Sequence, residues 1–207
     1  MAKKSSTEIY LMKIHRRKYE YLFFRDWVQR LSMKKSCKVM LLLLCFCVGS
    51  SFRQDKESSE YKLKAVFIYN FTLYVDWDPS IKSDEFVIGV LGNSPIDEPM
   101  EEIARTKTCN GKKIAIRHYN SADELSQSFC HILFIPRNSS ASLDAVLSKV
   151  SKGTLTVSEK PGCAARGTAI NFVIVDNKLR FESNPKAISA AGLKASSQLL
   201  KLAIIVE

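Results

Sequence analysis

Hydrophobic positions along this chain follow two rhythms, set apart by charged stretches and by glycine or proline breaks. From Tyr61 to Trp77 no glycine or proline intervenes, and Leu63, Val66, Phe67 and Phe71 recur at steps of three and four, which predicts a helix of about four turns. Tyr61, Ala65, Ile68, Tyr69, Leu73 and Val75 carry the apolar surface around the rest of the cylinder. Such a helix is either buried on two sides or offers one side to a partner. After Asp76-Trp77-Asp78-Pro79 the rhythm changes. Short β-rich runs at Phe86–Leu91, Lys113–His118, His131–Ile135 and Thr154–Val157 alternate with helical stretches at Pro99–Arg105, near Ala122–Leu125 and at Ser142–Val150. Alternation of this kind predicts a largely parallel sheet covered by helices, an α/β fold.

At Ile170 the pattern turns antiparallel. Ile170–Val175 and Lys178–Ser183 flank Asp176-Asn177, two residues that tolerate the positive φ of a tight hairpin turn. A two-residue turn sets Val173 opposite Arg180 and Asn171 opposite Glu182. Ile170, Phe172, Ile174, Leu179 and Phe181 then share one face, and Asn171, Arg180 and Glu182 the other. With Arg166 and Asn184 nearby in sequence, the second face suits a small carboxylated or phosphorylated ligand or a docking partner; it equally suits a plain solvated strand. Asn184-Pro185 predicts a capped helix running through Ala191 and stopping at Gly192, followed by a last amphipathic helix from Leu193 to Ile204. The expected whole is a single-domain, three-layer α/β fold. Its sheet is mostly parallel, with about six strands, closes on a C-terminal antiparallel hairpin and is flanked by helices.

The first 50 residues have another character. Lys34-Lys35-Ser36-Cys37-Lys38 precedes the apolar run Val39–Val48, and Val48-Gly49-Ser50 supplies small residues for cleavage, the layout of a secretory signal peptide. The run has 10 residues, where a bilayer-crossing helix needs about 20. Leu44 and Phe46 precede Cys45 and Cys47, which argues against a lipoprotein site. Met33 opens a complete signal of its own, so residues 1–32 are either an overlong start or a basic extension containing Arg16-Arg17-Lys18. The expected organisation is a leader over 1–50, a polar lead-in over 51–60 and a domain over 61–207, exported to the periplasm. Dividing the charge along the chain changes its meaning, because +8 of the net +10 lies in residues 1–50. The remainder is close to neutral and lacks the basic face that nucleic acid requires.

Catalytic chemistry finds little footing. Cys109, Cys130 and Cys163 lie beyond the leader, where an oxidising compartment leaves open one bridge plus a free thiol, an intermolecular bridge, or none. No Cys-x-x-Cys pair occurs among them, and with only His118 and His131 as imidazoles no metal site is expected. Gly89-Val90-Leu91-Gly92-Asn93-Ser94-Pro95 sits where open α/β sheets collect ligands, yet it lacks the third glycine of a dinucleotide loop and the Gly-Lys-Ser/Thr of a P-loop, so it reads as a strand-ending turn. The loop Pro161–Gly167 sets Cys163 near Arg166, which could lower the thiol pKa. No Gly-x-Ser-x-Gly elbow is present, and no enzyme or cofactor is expected.

Lys64-Ala65-Val66-Phe67-Ile68-Tyr69-Asn70-Phe71, Val75-Asp76-Trp77, Ile88-Gly89-Val90-Leu91-Gly92 and Cys130-His131-Ile132-Leu133-Phe134-Ile135, taken in order, resemble the YfiR-like family of secreted bacterial proteins. Leu155-Thr156-Val157-Ser158, Gly167, Ile170-Asn171-Phe172, Arg180-Phe181-Glu182 and Gly192–Leu200 continue the resemblance across residues 60–204. It implies a non-catalytic periplasmic regulator that forms homodimers and binds the periplasmic domain of a membrane-bound sensor enzyme, a diguanylate cyclase or a sensor kinase. Tyr69, Leu73 and Trp77 are then the expected docking anchors, since aromatic residues dominate interface energetics. A small-ligand binding protein using Arg166, Asn171, Arg180, Glu182 and Asn184 for a small anion is the alternative. The resemblance further implies a response to redox state through disulfides built from four cysteines, as in the best-understood member of the family. Here Cys130 and Cys163 resemble two of those positions, each without its partner. The chain also departs from the family pattern at Asp78 and at Thr168-Ala169.

Overall fold

The apolar run beginning at Tyr61 folds as a helix, α1, over residues 57–74 in a computed structural model that describes residues 57–81, 83–139 and 141–207. The leader, the alternative start at Met33 and the cleavage site lie outside the described residues. After α1 come β1 (Val75–Asp76), β2 (Glu85–Leu91), α2 (Asp97–Thr106), β3 (Thr108–Cys109), β4 (Lys112–Tyr119), a 3-10 turn (Asp123–Ser126) and β5 (Ile132–Ile135). Then follow α3 (Leu143–Lys149), β6 (Leu155–Ser158), β7 (Ile170–Val175), β8 (Lys178–Ser183), α4 (Pro185–Ala190), β9 (Lys194–Ala195), α5 (Ser197–Leu202) and β10 (Ile204–Ile205). The main sheet has eight strands in the order β10-β8-β7-β6-β5-β2-β4-β3. Only β3 with β4 and β7 with β8 pair antiparallel; the other five pairings are parallel.

Both faces of the central strands are covered, so their side chains alternate between two cores rather than between core and water. Ile88, Val90, Ile132, Phe134, Leu155 and Val157 point to a core shared with Ile68 and Phe71 of α1, Met100 of α2, Ile188 of α4 and Leu199 of α5. Val87, Leu91, Leu133 and Ile135 point the other way, to Leu143 and Val146 of α3, Leu125 of the 3-10 turn, and Tyr119. Gly89 belongs to the second face because the Tyr119 ring lies across it. A Cβ there would sit 2.6 Å from Tyr119 Cε2 and 3.2 Å from Cys130 Sγ. Gly89→Ala should therefore lower the melting temperature by several degrees, an overpacking cost of about 1–3 kcal/mol; an unchanged melt would show that the ring can shift aside.

Asp176 and Asn177 adopt φ of 50° and 58°, the left-handed pair of the two-residue turn, and the register is the expected one, with Val173 on Arg180 and Asn171 on Glu182. Asn184 caps α4 by accepting the Ala187 N–H at 3.0 Å, with Pro185 as the first helical residue. The sheet exceeds six strands because β3 and β10 are two residues each, too short to carry a periodic signal.

The last element also differs from expectation. A helix from Leu193 to Ile204 is reduced to α5, Ser197–Leu202. Gly192 at φ 77° ends α4, and Lys194–Ala195 then pairs antiparallel with β1. The Ser196 hydroxyl starts α5 by accepting the Leu199 N–H. Ala203 is extended and passes the chain to β10, which pairs with β8. The apolar spacing of this segment is thus shared between a short helix and two strand pairings.

Candidate functional site

Ala65, Ile68 and Phe71 turn one side of α1 into the core, where Phe71 meets Phe172 and Phe181 with ring centroids 6.0 and 5.2 Å apart. On the opposite side Leu63, Val66 and Leu73, at i, i+3 and i+10, form a stripe that is 46%, 47% and 60% exposed. This stripe continues onto the hairpin tip. Leu63, Ser59 and Glu60 of the helix and Ile174, Asn177 and Leu179 of the hairpin line a groove of about 310 Å³, with Ile174 itself half exposed.

The sequence-based anchors divide between the two sides. Leu73 points outward. Tyr69 is half-buried, with its hydroxyl 3.5 Å from the Thr108 carbonyl. Trp77 is half-buried as well, packed edge-on against Phe86 at 5.1 Å and donating its Nε1–H to the His131 carbonyl at 3.2 Å. Leu63, Val66 and Ile174 were not expected at a site, although the i, i+3, i+10 spacing on α1 was a readable signal for the first two.

A charge cluster on the inner side of α1 adds to its apolar contacts with the sheet. Lys64, 3% exposed, meets the carboxylate of Glu159, 2% exposed, at the end of β6 with N to O at 2.5 Å, and Glu60 one turn earlier at 2.7 Å. Glu159 also accepts the Tyr61 hydroxyl at 3.1 Å and the Arg137 backbone N–H at 3.0 Å. Burial, then the neighbouring Glu159 carboxylate, pushes the Tyr61 phenol far above its ordinary pKa, so it remains a donor.

The polar side of the hairpin is committed internally. Asn171 is buried, donating to Glu182 Oε2 at 2.9 Å and accepting from Ser158 Oγ at 2.8 Å, and Ser158 shares a further hydrogen bond with Thr168. Asn184 caps α4 and donates to the Ala164 carbonyl. Arg166 pairs with Asp144 of α3 at 3.2 Å on the surface. Arg180 is exposed and has no ion pair among the described residues. These five side chains are not gathered round one cavity.

The turn after β2 does border a cavity of about 230 Å³ at the carboxyl ends of β2, β4 and β5. Its described lining includes Asn93, Asn120, Asn138 and Ser139 and no cation, so it offers a phosphate little. His118 is exposed, 3.9 Å from an Asp97 oxygen. His131 is a core residue whose Nδ1 accepts the Val87 N–H at 3.0 Å. No group of His, Cys, Asp and Glu able to hold a metal occurs among the described residues.

A family model described as YfiR/HmsC-like matches residues 61–204, the span from α1 to β10. The chain belongs to the YfiR/HmsC-like family. Among curated proteins none matches it. The matched span opens inside the charge cluster of α1 and contains the described main sheet as far as the first residue of β10. Among the described residues of this YfiR/HmsC-like protein no helix is long and apolar enough to cross a membrane.

The three described cysteines of this family member, Cys109, Cys130 and Cys163, are buried and free. Burial pushes Cys130 up to about 11, and Cys109 is raised for the same reason. With a pKa of 11, only about one Cys130 in 1,000 is thiolate at pH 8, and the thiolate is the reactive form. Disulfide reagent at pH 8 should label native Cys130 at least 100-fold more slowly than a free thiol, with full labelling on unfolding; prompt labelling of the folded chain would contradict this placement. The His131 imidazole is lowered to about 4, by burial first and the charge of Lys112 second. Its proton is therefore refused by the folded state and taken by the unfolded one between about pH 4 and 6.5, so its contribution to stability is complete above 6.5 and is lost as pH falls through that window. In a histidine NMR titration the His131 ring signals should stay fixed from pH 8 to 5; a midpoint near 6.5 would contradict the burial.

Proposed function

We propose that this chain is a non-catalytic periplasmic regulator that binds the periplasmic domain of a membrane-bound signalling enzyme, a diguanylate cyclase or a sensor kinase, and holds that enzyme inactive. Membership of the YfiR/HmsC-like family supports the regulatory class. The observation that carries the docking reading is the outward stripe Leu63, Val66 and Leu73, continuous with Ile174 on the hairpin. A helix pinned to the sheet by a buried ion pair while presenting aliphatic side chains to water is a preformed apolar surface of the kind partners use. Its rigidity favours affinity, because little side-chain or backbone freedom remains to be lost on binding.

Repression then works by mass action. The free partner is active, the bound partner is held in an inactive arrangement, and whatever favours the unbound regulator releases it. The same stripe is also the surface through which two copies would meet as a homodimer. A tagged full-length chain expressed with a membrane cyclase or kinase from the same cell envelope should retain that enzyme through detergent purification and lower its product formation. Undiminished turnover of the enzyme with the regulator bound would reject repression while leaving docking intact.

A further inference from the structure

Beyond the docking surface, a cavity of about 200 Å³ opens at the amino ends of β2, β4 and β5, against Trp77, Ile81, Phe86 and His131, with Lys112 and Asn110 also lining it. A dry cavity of about 150 Å³ is already large enough to take up benzene. His131 is the informative wall. It is 3% exposed, its ring stacks on Phe86 with centroids 4.4 Å apart, and its Nδ1 is occupied by the Val87 N–H. With Nδ1 as acceptor, the neutral imidazole carries its proton on Nε2. That N–H has no hydrogen-bond partner among the described residues, and the ring is part of the cavity wall. Burial keeps the ring neutral at physiological pH, so it acts as a donor and not as a second cation.

Lys112 is the one cationic residue among the described residues of the lining. Asp78, the one carboxylate, accepts the Ser80 backbone N–H at 2.8 Å and so is turned to its own loop. A solvent-reached N–H without a protein partner and an ammonium together suit a carboxylate. The indole of Trp77, the phenyl of Phe86 and the sec-butyl side chain of Ile81 call for a flat apolar body.

We propose that this cavity binds a small aromatic carboxylate, its ring against Trp77 and Phe86 and its carboxylate on His131 Nε2 and Lys112. The site is separate from the docking stripe and stands or falls independently of the regulatory reading.

Benzoate and its neutral isostere benzamide are the probes, titrated calorimetrically into the full-length chain at pH 7. Benzoate should bind one to one and saturate, with benzamide roughly tenfold weaker or more, the worth of a charge-assisted hydrogen bond. Lys112→Gln, at a half-exposed position on a strand end, should weaken benzoate by a similar factor and leave benzamide unchanged. Fluorescence of Trp77, read in a Trp27→Phe chain, should change along the same binding curve. Equal binding of the two probes, absence of saturation with benzoate, or indifference to Lys112→Gln would each overturn the assignment; the comparison of the two probes needs no variant and so decides even if the substituted chain fails to fold.

Discussion

Replacing Glu159 with alanine should cost about 3–5 kcal/mol of unfolding free energy, because it strands a buried ammonium. Lys64 is 3% exposed and would lose its closest counter-charge, while the Tyr61 hydroxyl and the Arg137 N–H would lose an acceptor. Glu60 remains 2.7 Å away and is partly solvated, which places the expected loss at the lower end of that range. Urea unfolding checks it. Lys64→Met combined with Glu159→Met should recover most of the loss, since a well-packed apolar pair often equals or exceeds a buried ion pair. A loss below about 1 kcal/mol for Glu159→Ala, the scale of a surface pair, would mean that α1 is held by its apolar side alone.

That ion pair was invisible in the sequence. Lys64 and Glu159 are 95 residues apart, and Lys64 sits on an apolar helix where a lysine reads as a solvated interruption. The strands from β2 to β8, the two-residue β3 excepted, were legible because β-rich runs, turn residues and proline breaks all marked the same boundaries, and the Asp176-Asn177 turn set the hairpin register without help from packing. The C-terminal segment was legible only in part. Gly192 was plain as punctuation, but the helix start at Ser196 was not read, and the pairing of Lys194–Ala195 with β1 is a contact with the far end of α1 that local spacing does not encode. Within α1, nearly continuous apolar character hid which side faces out. Tyr69 and Trp77 looked like anchors for their size, and both are partly absorbed by the domain. Asn171 and Glu182 shared a face as expected, but Ser158 and Thr168, arriving from another strand and a loop, turned that face into a hydrogen-bonded interior.

Leu73→Asp with Ile174→Asp should abolish partner capture, a loss of more than 100-fold in affinity, on the scale of hot-spot residues that contribute roughly 2–4 kcal/mol. Both side chains are more than half exposed, so stability should change by no more than about 0.5 kcal/mol for each. Trp77→Ala should behave in the opposite way. It removes an indole packed on Phe86 and a hydrogen bond to the His131 carbonyl, and so lowers the melting temperature whatever it does to binding. Comparing the two variants separates a docking defect from a folding defect. Retained capture by a folded Leu73→Asp, Ile174→Asp chain would move the docking surface away from α1 and the hairpin.

The most direct test is capture from the native cell envelope. The tagged wild-type chain and the Leu73→Asp, Ile174→Asp variant, made at equal levels and cross-linked before detergent extraction, are purified in parallel and their companions identified by mass spectrometry. The account predicts a transmembrane cyclase or kinase enriched with the wild type and absent from the variant. Equal recovery with both proteins, or no membrane signalling enzyme with either, would contradict it.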